Sequence, residues 1–143
     1  MMITRELAEI GRQGRRYRAN AMAPYGLNDY HAVFLPAIAE NPGLSQDRLA
    51  QILCFNKSSI ARRVAALEEE GLVQRIPNKR DKRIIELTLT AKASELMPSI
   101  RKAMKDWDSY LMEGISQEEQ AMLNRLLSHI KERAVSWKED VHE

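Results

Sequence analysis

The sequence predicts a mainly α-helical protein that contains one small β-hairpin. Apolar residues recur at spacings of three and four through most of the 143 residues, which is typical of amphipathic helices. Between residues 72 and 89 the period changes to alternation, which is typical of paired strands. The net charge of only +2 hides two basic segments, 1–20 and 56–83, in an otherwise acidic chain. The fold class is therefore helical with a hairpin, and positive charge is concentrated around that hairpin.

The composition excludes several classes of protein. With 44% hydrophobic and 29% charged residues, the chain is an ordinary globular protein, and its longest uncharged run, 30–39, is too short to span a bilayer. Arg5, Glu6 and Glu9 lie where a signal peptide needs an apolar core, so we expect a cytoplasmic protein that has no membrane partner. One cysteine and three histidines leave little material for disulfides or a metal site. We expect no metal and no cofactor.

Two helices are predicted before residue 41. The first covers residues 3–22, where apolar side chains recur at helical spacing among arginines. Asn28 is a suitable N-cap for the second helix, which should end near Glu40 and be kinked by Pro36. The side chains of this second helix that should face the core are Val33, Leu35 and Ile38.

The third and fourth helices are predicted to be joined by a tight turn. Ser45 can cap the short third helix, and Asn56 can cap the fourth only a few residues after the third ends. Gly71 then provides the C-terminal stop. Three apolar residues of the fourth helix, at i, i+4 and i+7, should face the core, which leaves its polar side chains outside. These three are Ile60, Val64 and Leu67.

Alternation after Gly71 predicts two strands, at 72–76 and 84–89, that form a β-hairpin. Because side chains alternate between the two faces of a strand, half of the second strand should face the core. The inward residues are Ile85, Leu87 and Leu89, and the outward residues are Ile84, Glu86 and Thr88. The exposed tip then carries four cations around Asp81.

Two further helices are predicted after the hairpin. A long helix runs from 90 to 114, with a bend expected at Pro98, and a capping box at 116–119 begins the last helix. Residues 138–143 have the composition of a frayed tail. The order of elements is that of a winged helix-turn-helix between N- and C-terminal helices.

A helix-turn-helix places the start of its second helix in the major groove of DNA. The polar residues of the fourth helix suit this role, because Asn can pair with adenine, Arg or Lys with guanine, and Ser with base or phosphate. An ordinary solvated helix face is the alternative interpretation. The predicted major-groove residues are Asn56, Lys57, Ser58, Ser59, Arg62 and Arg63, and the predicted backbone contacts are Ser45 and Gln46.

The cationic hairpin tip has a matching interpretation as a wing. A wing beside a major-groove helix lies over the minor groove, whose negative potential attracts arginine. We expect Arg80 or Arg83 to enter it and Asp81 to hold a neighbouring guanidinium through a charge-assisted pair. A tip that is charged only for solubility is the alternative. The predicted wing residues are Lys79, Arg80, Asp81, Lys82 and Arg83.

From "PGLSQDRLAQIL" through "NKSSIARRVAALEEEGLVQRIPNKRDKRIIELTLT" the chain resembles the MarR family of winged-helix transcriptional regulators. "LEEEGLVQR", followed by Asp-x-Arg at 81–83 and by "LT", is the usual signature of that family. The resemblance is strongest from 44 to 90, and the order of helices agrees over nearly the whole chain. Ala93 is a departure, because the family pattern often has glycine there.

The resemblance implies a homodimer formed by the first and last helices and part of the fifth. Residues 1–26 and 91–143 would then be the dimerisation region, and 27–90 the DNA-binding domain. An apolar stripe running into the last helix, with Trp137 near its end, independently indicates a partner. A two-fold dimer presents its recognition helices to half-sites about 34 Å apart, so we expect a pseudo-palindromic duplex as the target. We therefore expect a repressor that leaves its DNA site when a ligand binds to it.

The resemblance also implies a small aromatic or anionic effector near the junction of the two regions. Arg16, Tyr30 and His31 are the candidate contacts, although the arginine can equally belong to a solvated face and the histidine can be a satisfied, partly buried side chain. Cys54 suggests a redox role or simply a small buried residue. No residue pattern supports an enzyme. The chief rival function is a winged-helix module that binds an acidic protein.

Overall fold

The computed structural model describes residues 2–137. These residues fall into two compact units, which divide between Trp107 and Asp108. The larger unit contains the helix-turn-helix and the hairpin, and the smaller contains the last helix. The helices and strands are α1 (Ile3–Met22), α2 (Asp29–Glu40), α3 (Gln46–Leu53), α4 (Lys57–Glu69), β1 (Val73–Pro77), β2 (Ile85–Leu89), α5 (Ala91–Leu111) and α6 (Gln117–Ser136), with a 3-10 turn at Ala23–Tyr25.

The mainly α-helical fold with one hairpin is confirmed, and its helices begin where the capping residues predict. Ser45 Oγ accepts the backbone N–H of Arg48 at 3.0 Å at the start of α3. Ser116 and Glu119 form the predicted capping box of α6. Each cap satisfies backbone N–H groups that have no partner within the helix, so a short polar motif suffices to set the boundary. The predicted tail, 138–143, lies outside the described residues.

The core of the larger unit lies where α2, α3, α4 and β2 meet. Leu35, Leu49, Ile60, Leu67 and Leu87 are completely buried there. The side chains at the end of α1 and in the first half of α5 join the same cluster. The inner face of α4 is therefore held by apolar contacts from several directions, which fixes the direction of its outer face.

The hairpin is antiparallel, and its register pairs Val73 with Leu89 and Pro77 with Ile85. Leu87 is buried as predicted, whereas Ile85 and Leu89 are half-buried. Of the side chains predicted to point outward, Ile84 is exposed, but Glu86 and Thr88 are half-buried. The segment before α3 runs beside β2, where the Leu87 N–H donates to the Leu44 carbonyl at 2.8 Å and Ser45 forms a bridge with Glu86. This third backbone segment shields part of the outer face.

Two predicted burial assignments were wrong. Val33 is half-buried, and Phe34 takes the core position instead. At 100° per residue, the buried face of α2 passes through His31, Phe34, Leu35 and Ile38, and Val33 is turned about 150° away from the centre of that face. Cys54 is exposed because it follows α3 as its C-cap, with a left-handed backbone (φ 56°) that carries it out of the core.

The smaller unit contains the end of α5 and the amphipathic helix α6. Among the described residues of α6, none is buried, and five large apolar side chains there and at its C-cap are exposed. In a globular protein, such an apolar stripe of a helix is ordinarily packed against the rest of the molecule or a partner. These residues are Met122, Leu126, Leu127, Val135 and Trp137. Within residues 2–137, no helix is long and apolar enough to cross a membrane.

Candidate nucleic-acid interface

The start of α4 is organised around the side chain of Asn56. Its Oδ1 accepts the backbone N–H of Ser59 and the hydroxyl of Ser58, each at 2.8 Å. Pairing with adenine requires both the oxygen and the NH₂ group of an asparagine, so a base contact by Asn56 competes with this cap. Ser58 is exposed, and Ser59 is half-buried at the first turn. The base-contact role of Asn56 stays a prediction, while its capping role is visible.

The cations of α4 lie on its solvent face, as expected from the burial of the opposite face. Lys57 Nζ lies 3.6 Å from the Asp47 carboxylate, an exposed pair that connects the first turns of α4 and α3. Arg62 Nη2 lies 3.4 Å from Ser59 Oγ, a weak hydrogen bond. Exposed contacts of this kind contribute little to stability. Lys57 and Arg62 can therefore exchange them for phosphate or base contacts.

Arg63 differs from its neighbours because an aromatic ring supports it. Its guanidinium carbon lies 4.5 Å from the centroid of the Tyr30 ring. The Tyr30 hydroxyl donates to Glu70 Oε1 at 2.9 Å, and His31 Nε2 lies 2.7 Å from Glu70 Oε2. Burial, reinforced by the Glu70 carboxylate, raises the pKa of Tyr30, so its hydroxyl stays protonated at neutral pH.

The hairpin tip is ordered by two side chains. Asn78 Oδ1 accepts the backbone N–H groups of Arg80 and Asp81 at 2.9 and 3.0 Å. Asp81 accepts two bonds from the Arg83 guanidinium, at 3.0 and 2.9 Å, and a third from its backbone N–H at 3.0 Å. These bonds lower the pKa of Asp81 and raise that of Arg83. The predicted pairing of Asp81 with a neighbouring guanidinium is therefore present, on a side chain that is 90% exposed.

A second pairing, which sequence analysis did not find, connects the hairpin to α4. Arg75 on β1 donates to Glu68 Oε1 through Nε at 3.2 Å and Nη2 at 3.0 Å, and its backbone N–H reaches Glu68 Oε2 at 3.3 Å. These bonds lower the pKa of Glu68. The run of three glutamates before Gly71 was the available signal, but its sequence position does not show which of them contacts β1. The contact sets the hairpin against the recognition helix.

A cleft of about 520 Å³ lies beside this surface and combines arginines with aromatic rings. Arg15 and Arg18 from α1 and Arg62 and Arg63 from α4 line it, facing a single acid, Asp29. Its aromatic lining consists of Tyr30, Phe34 and Phe55. Arg18 Nε is buried and has no hydrogen-bond partner among the described residues. The cleft therefore has the chemistry to bind an aromatic anion.

The three predicted effector residues have different positions. Tyr30 lines the cleft, whereas Arg16 is exposed elsewhere on α1 and His31 is buried beneath the Tyr30 ring. Arg15 and Arg18 share a helix face because they are three residues apart, and Arg16 is turned about 100° from Arg15. His31 is fully bonded, since its Nδ1 accepts the Asn28 N–H at 2.8 Å while its Nε2 contacts Glu70.

Comparison with known proteins agrees with this architecture. The model of the MarR family matches residues 27–85. The HTH-type transcriptional regulator BilQ of Clostridium symbiosum is 30% identical over 97 residues, which cover 68% of this chain and 67% of that protein. The uncharacterised HTH-type transcriptional regulator YybA of Bacillus subtilis is 28% identical over 99 residues, 69% of this chain, and the match spans 66% of that relative, just under two thirds of its length.

Two solved structures agree with the fold over most of their length. The transcriptional regulator SlyA has a TM-score of 0.90 at 23% identity, covering 94% of this chain and 95% of that one. A MarR family transcriptional regulator from Listeria monocytogenes, solved in complex with a 26-mer DNA, has a TM-score of 0.90 at 26% identity, covering 94% and 90%. The sequence matches and the shared fold together show that this chain belongs to the MarR family of transcriptional regulators.

Proposed function

We propose that this regulator is a homodimer that represses transcription by binding a pseudo-palindromic DNA operator. One observation carries the proposal: the outer face of α4 presents exposed polar and cationic side chains, while Arg75 and Glu68 tie it to the hairpin that carries the basic tip. The similar Listeria regulator was solved with DNA, which supports duplex DNA as the partner. Regulators of this family are not enzymes, and the proposed function needs no cofactor. We expect the protein to act in the cytoplasm.

The exposed apolar residues of α6 support the homodimer. Trp137 is 74% exposed and Val135 60%, and α1 adds exposed Leu7 and Ile10. Large apolar side chains that stay exposed along a helix mark an interaction site. A two-fold interface covers such residues in both copies at once and places two recognition helices on one duplex.

Binding to duplex DNA across a range of salt concentrations tests the proposal. Genomic fragments selected by the purified protein should share an inverted repeat, and a duplex with that repeat should bind at least about a thousandfold more tightly than a scrambled one. Sedimentation should give a dimer before DNA is added. Strong binding to an acidic polypeptide, without preference among duplexes, would instead favour a protein-interaction module.

We expect the wing to contribute to DNA binding through the positive charge of Arg83. Replacing Arg83 by Ala should weaken binding to all duplexes and reduce the slope of log affinity against log salt by ~0.9 per subunit, or ~1.8 for the dimer, because each subunit releases one counterion fewer. Asp81→Asn should keep the slope, since Arg83 remains, but should remove the carboxylate that orients it. Arg101→Ala, which removes an exposed arginine from α5, is the matched control. An unchanged slope and affinity for Arg83→Ala would contradict the role of the wing.

We also propose that an aromatic carboxylate binds in the cleft and lowers DNA affinity. The Arg18 Nε group supplies a buried donor, and Tyr30, Phe34 and Phe55 supply apolar faces. An effector that binds better to the conformation with low DNA affinity reduces that affinity by its own differential binding, typically ~1–3 kcal/mol. Release of the operator would follow from a changed spacing of the two winged lobes.

Benzoate and its neutral analogue benzamide test this effector site. Benzoate should weaken operator binding about 5- to 150-fold at saturation, while benzamide should have little effect because it cannot pair with an arginine. Arg18→Ala should abolish the response, and Arg16→Ala, which changes an exposed neighbour outside the cleft, should keep it. Equal responses in the two variants would contradict the assignment.

A further inference from the structure

We propose that Tyr30 is a positioning residue for Arg63: its ring holds the guanidinium at the edge of the DNA-facing surface, ready to bind a backbone phosphate. The inference rests on the proposed DNA-binding function and assigns a specific role within that surface. Tyr30 itself is not assigned a contact with DNA; it acts through the arginine.

The contact between the two side chains has the geometry of a cation–π interaction. The Arg63 guanidinium carbon lies 4.5 Å from the ring centroid, within the ~6 Å over which such a pair is attractive. Arg63 is exposed, so the remaining donors of its guanidinium can reach a ligand. A planar guanidinium can stack on a ring through its face and donate hydrogen bonds from its edge at the same time. Support by Tyr30 is therefore compatible with phosphate binding.

Tyr30 is itself held in place by its neighbours. Its hydroxyl donates to Glu70 Oε1 at 2.9 Å, its ring stacks on His31 at a centroid distance of 4.1 Å, and its edge meets Phe34 at 6.2 Å. The ring is thus fixed at its polar end, on one face and along one edge. Arg63 contacts this fixed ring.

Glu70 closes the arrangement by receiving one hydrogen bond on each carboxylate oxygen. The His31 Nδ1 atom accepts the Asn28 backbone N–H, so in the neutral imidazole the proton lies on Nε2 and points at Glu70 Oε2. Lys92 Nζ donates to the backbone carbonyl of Glu70 at 2.9 Å. The contacts therefore run without a break from the N-cap of α2 to the residue that ends α4, and they bring together positions 39 and 40 residues apart.

An Arg63 side chain that is already held in place before DNA binds should raise the affinity for DNA. A long exposed side chain loses conformational freedom when it engages a phosphate, and a side chain already held by a ring loses less. Three other cations of the predicted interface, Lys57, Arg62 and Arg83, contact a carboxylate or hydroxyl group of the protein. Arg63 instead lies over the face of an aromatic ring.

A double-mutant cycle tests the inference. Arg63→Ala should weaken operator binding and reduce the salt slope by ~0.9 per subunit, or ~1.8 for the dimer. Tyr30→Leu, which removes the ring but keeps an apolar side chain, should weaken binding about two- to fivefold, the range of an exposed cation–π pair. In the Arg63→Ala background, Tyr30→Leu should have no further effect. Tyr30→Phe keeps the ring and should restore most of the affinity that Tyr30→Leu loses.

Additive losses from the two substitutions would show that Tyr30 only supports the fold, and would overturn the inference. So would an Arg63→Ala protein that binds like the wild type.

If Tyr30→Leu fails to fold, ¹⁵N relaxation of the Arg63 Nε–H in the free wild-type protein decides instead: an ordered signal supports the inference, and free rotation overturns it. Loss of binding in Arg62→Ala with no change in Arg63→Ala would leave the proposed function standing and remove only this role. A wild-type protein that binds no duplex would overturn both.

Discussion

Replacing Ile60 by Ala is expected to lower the free energy of unfolding by about 2–5 kcal/mol. Ile60 is 0% exposed on the inner face of α4, where it packs into the core with Val64 and Leu67. Truncation removes buried methyl and methylene groups and leaves a cavity that the surrounding helices can fill only in part. Because Ile60 lies directly behind the exposed face of the recognition helix, DNA affinity should fall together with stability.

Urea denaturation of both variants at one fixed protein concentration measures this effect, since the stability of a dimer depends on concentration. Ile84→Ala is the matched control, because the same side chain is 43% exposed on the hairpin and its loss should cost less than about 1 kcal/mol. Equal losses in the two variants would show that α4 is not packed as the structure indicates.

Replacing Arg62 by Ala is expected to cost about 1–3 kcal/mol of DNA-binding free energy in each half-site and to relax base preference at one position there. Arg62 is exposed on α4, and its hydrogen bond to Ser59 is weak. Its guanidinium is therefore available for the bidentate contact with guanine that arginine makes in the major groove. The two-fold symmetry of the proposed dimer doubles the effect on a full operator.

Affinity selection from a duplex library that is randomised in each half-site provides the measurement. Arg101→Ala on α5 is again the control and should leave both affinity and base preference unchanged. An equal loss on operator and random duplex would show that Arg62 contacts only phosphate. In that case the base-reading role would move to the serines at the start of α4.

Much of the fold could be predicted because it depends on residues that are close together in the sequence. Ser45, Asn56 and Ser116 begin their helices where a short polar side chain precedes an apolar repeat, and the N–H group that each of them satisfies lies three residues away. The alternation in β2 similarly identifies Leu87 as an inward residue. The pairing of Asp81 with Arg83 was also predictable, because the two side chains are only two residues apart.

Which arginines line the cleft could not be predicted from the sequence. Arg16 was chosen from a cluster of similar arginines, and the buried face of α1 that selects Arg15 and Arg18 depends on what packs against that helix. Cys54 was expected to be a small buried residue because its neighbours are apolar, but the chain leaves the core at the end of α3 through a left-handed residue. Periodicity gives the position of a side chain around its own helix and not the neighbours of that helix.

The sequence by itself determined the order of helices and strands, their caps, the basic tip of the hairpin and the family, because each of these depends on residues close together in the chain. Only the tertiary structure decided that Glu68 holds Arg75, that Glu70 joins Tyr30 to His31 and that Tyr30 supports Arg63. These contacts join residues up to 40 positions apart, and several similar side chains were available for each. Packing of the apolar core selects among them, since it sets which helix faces meet.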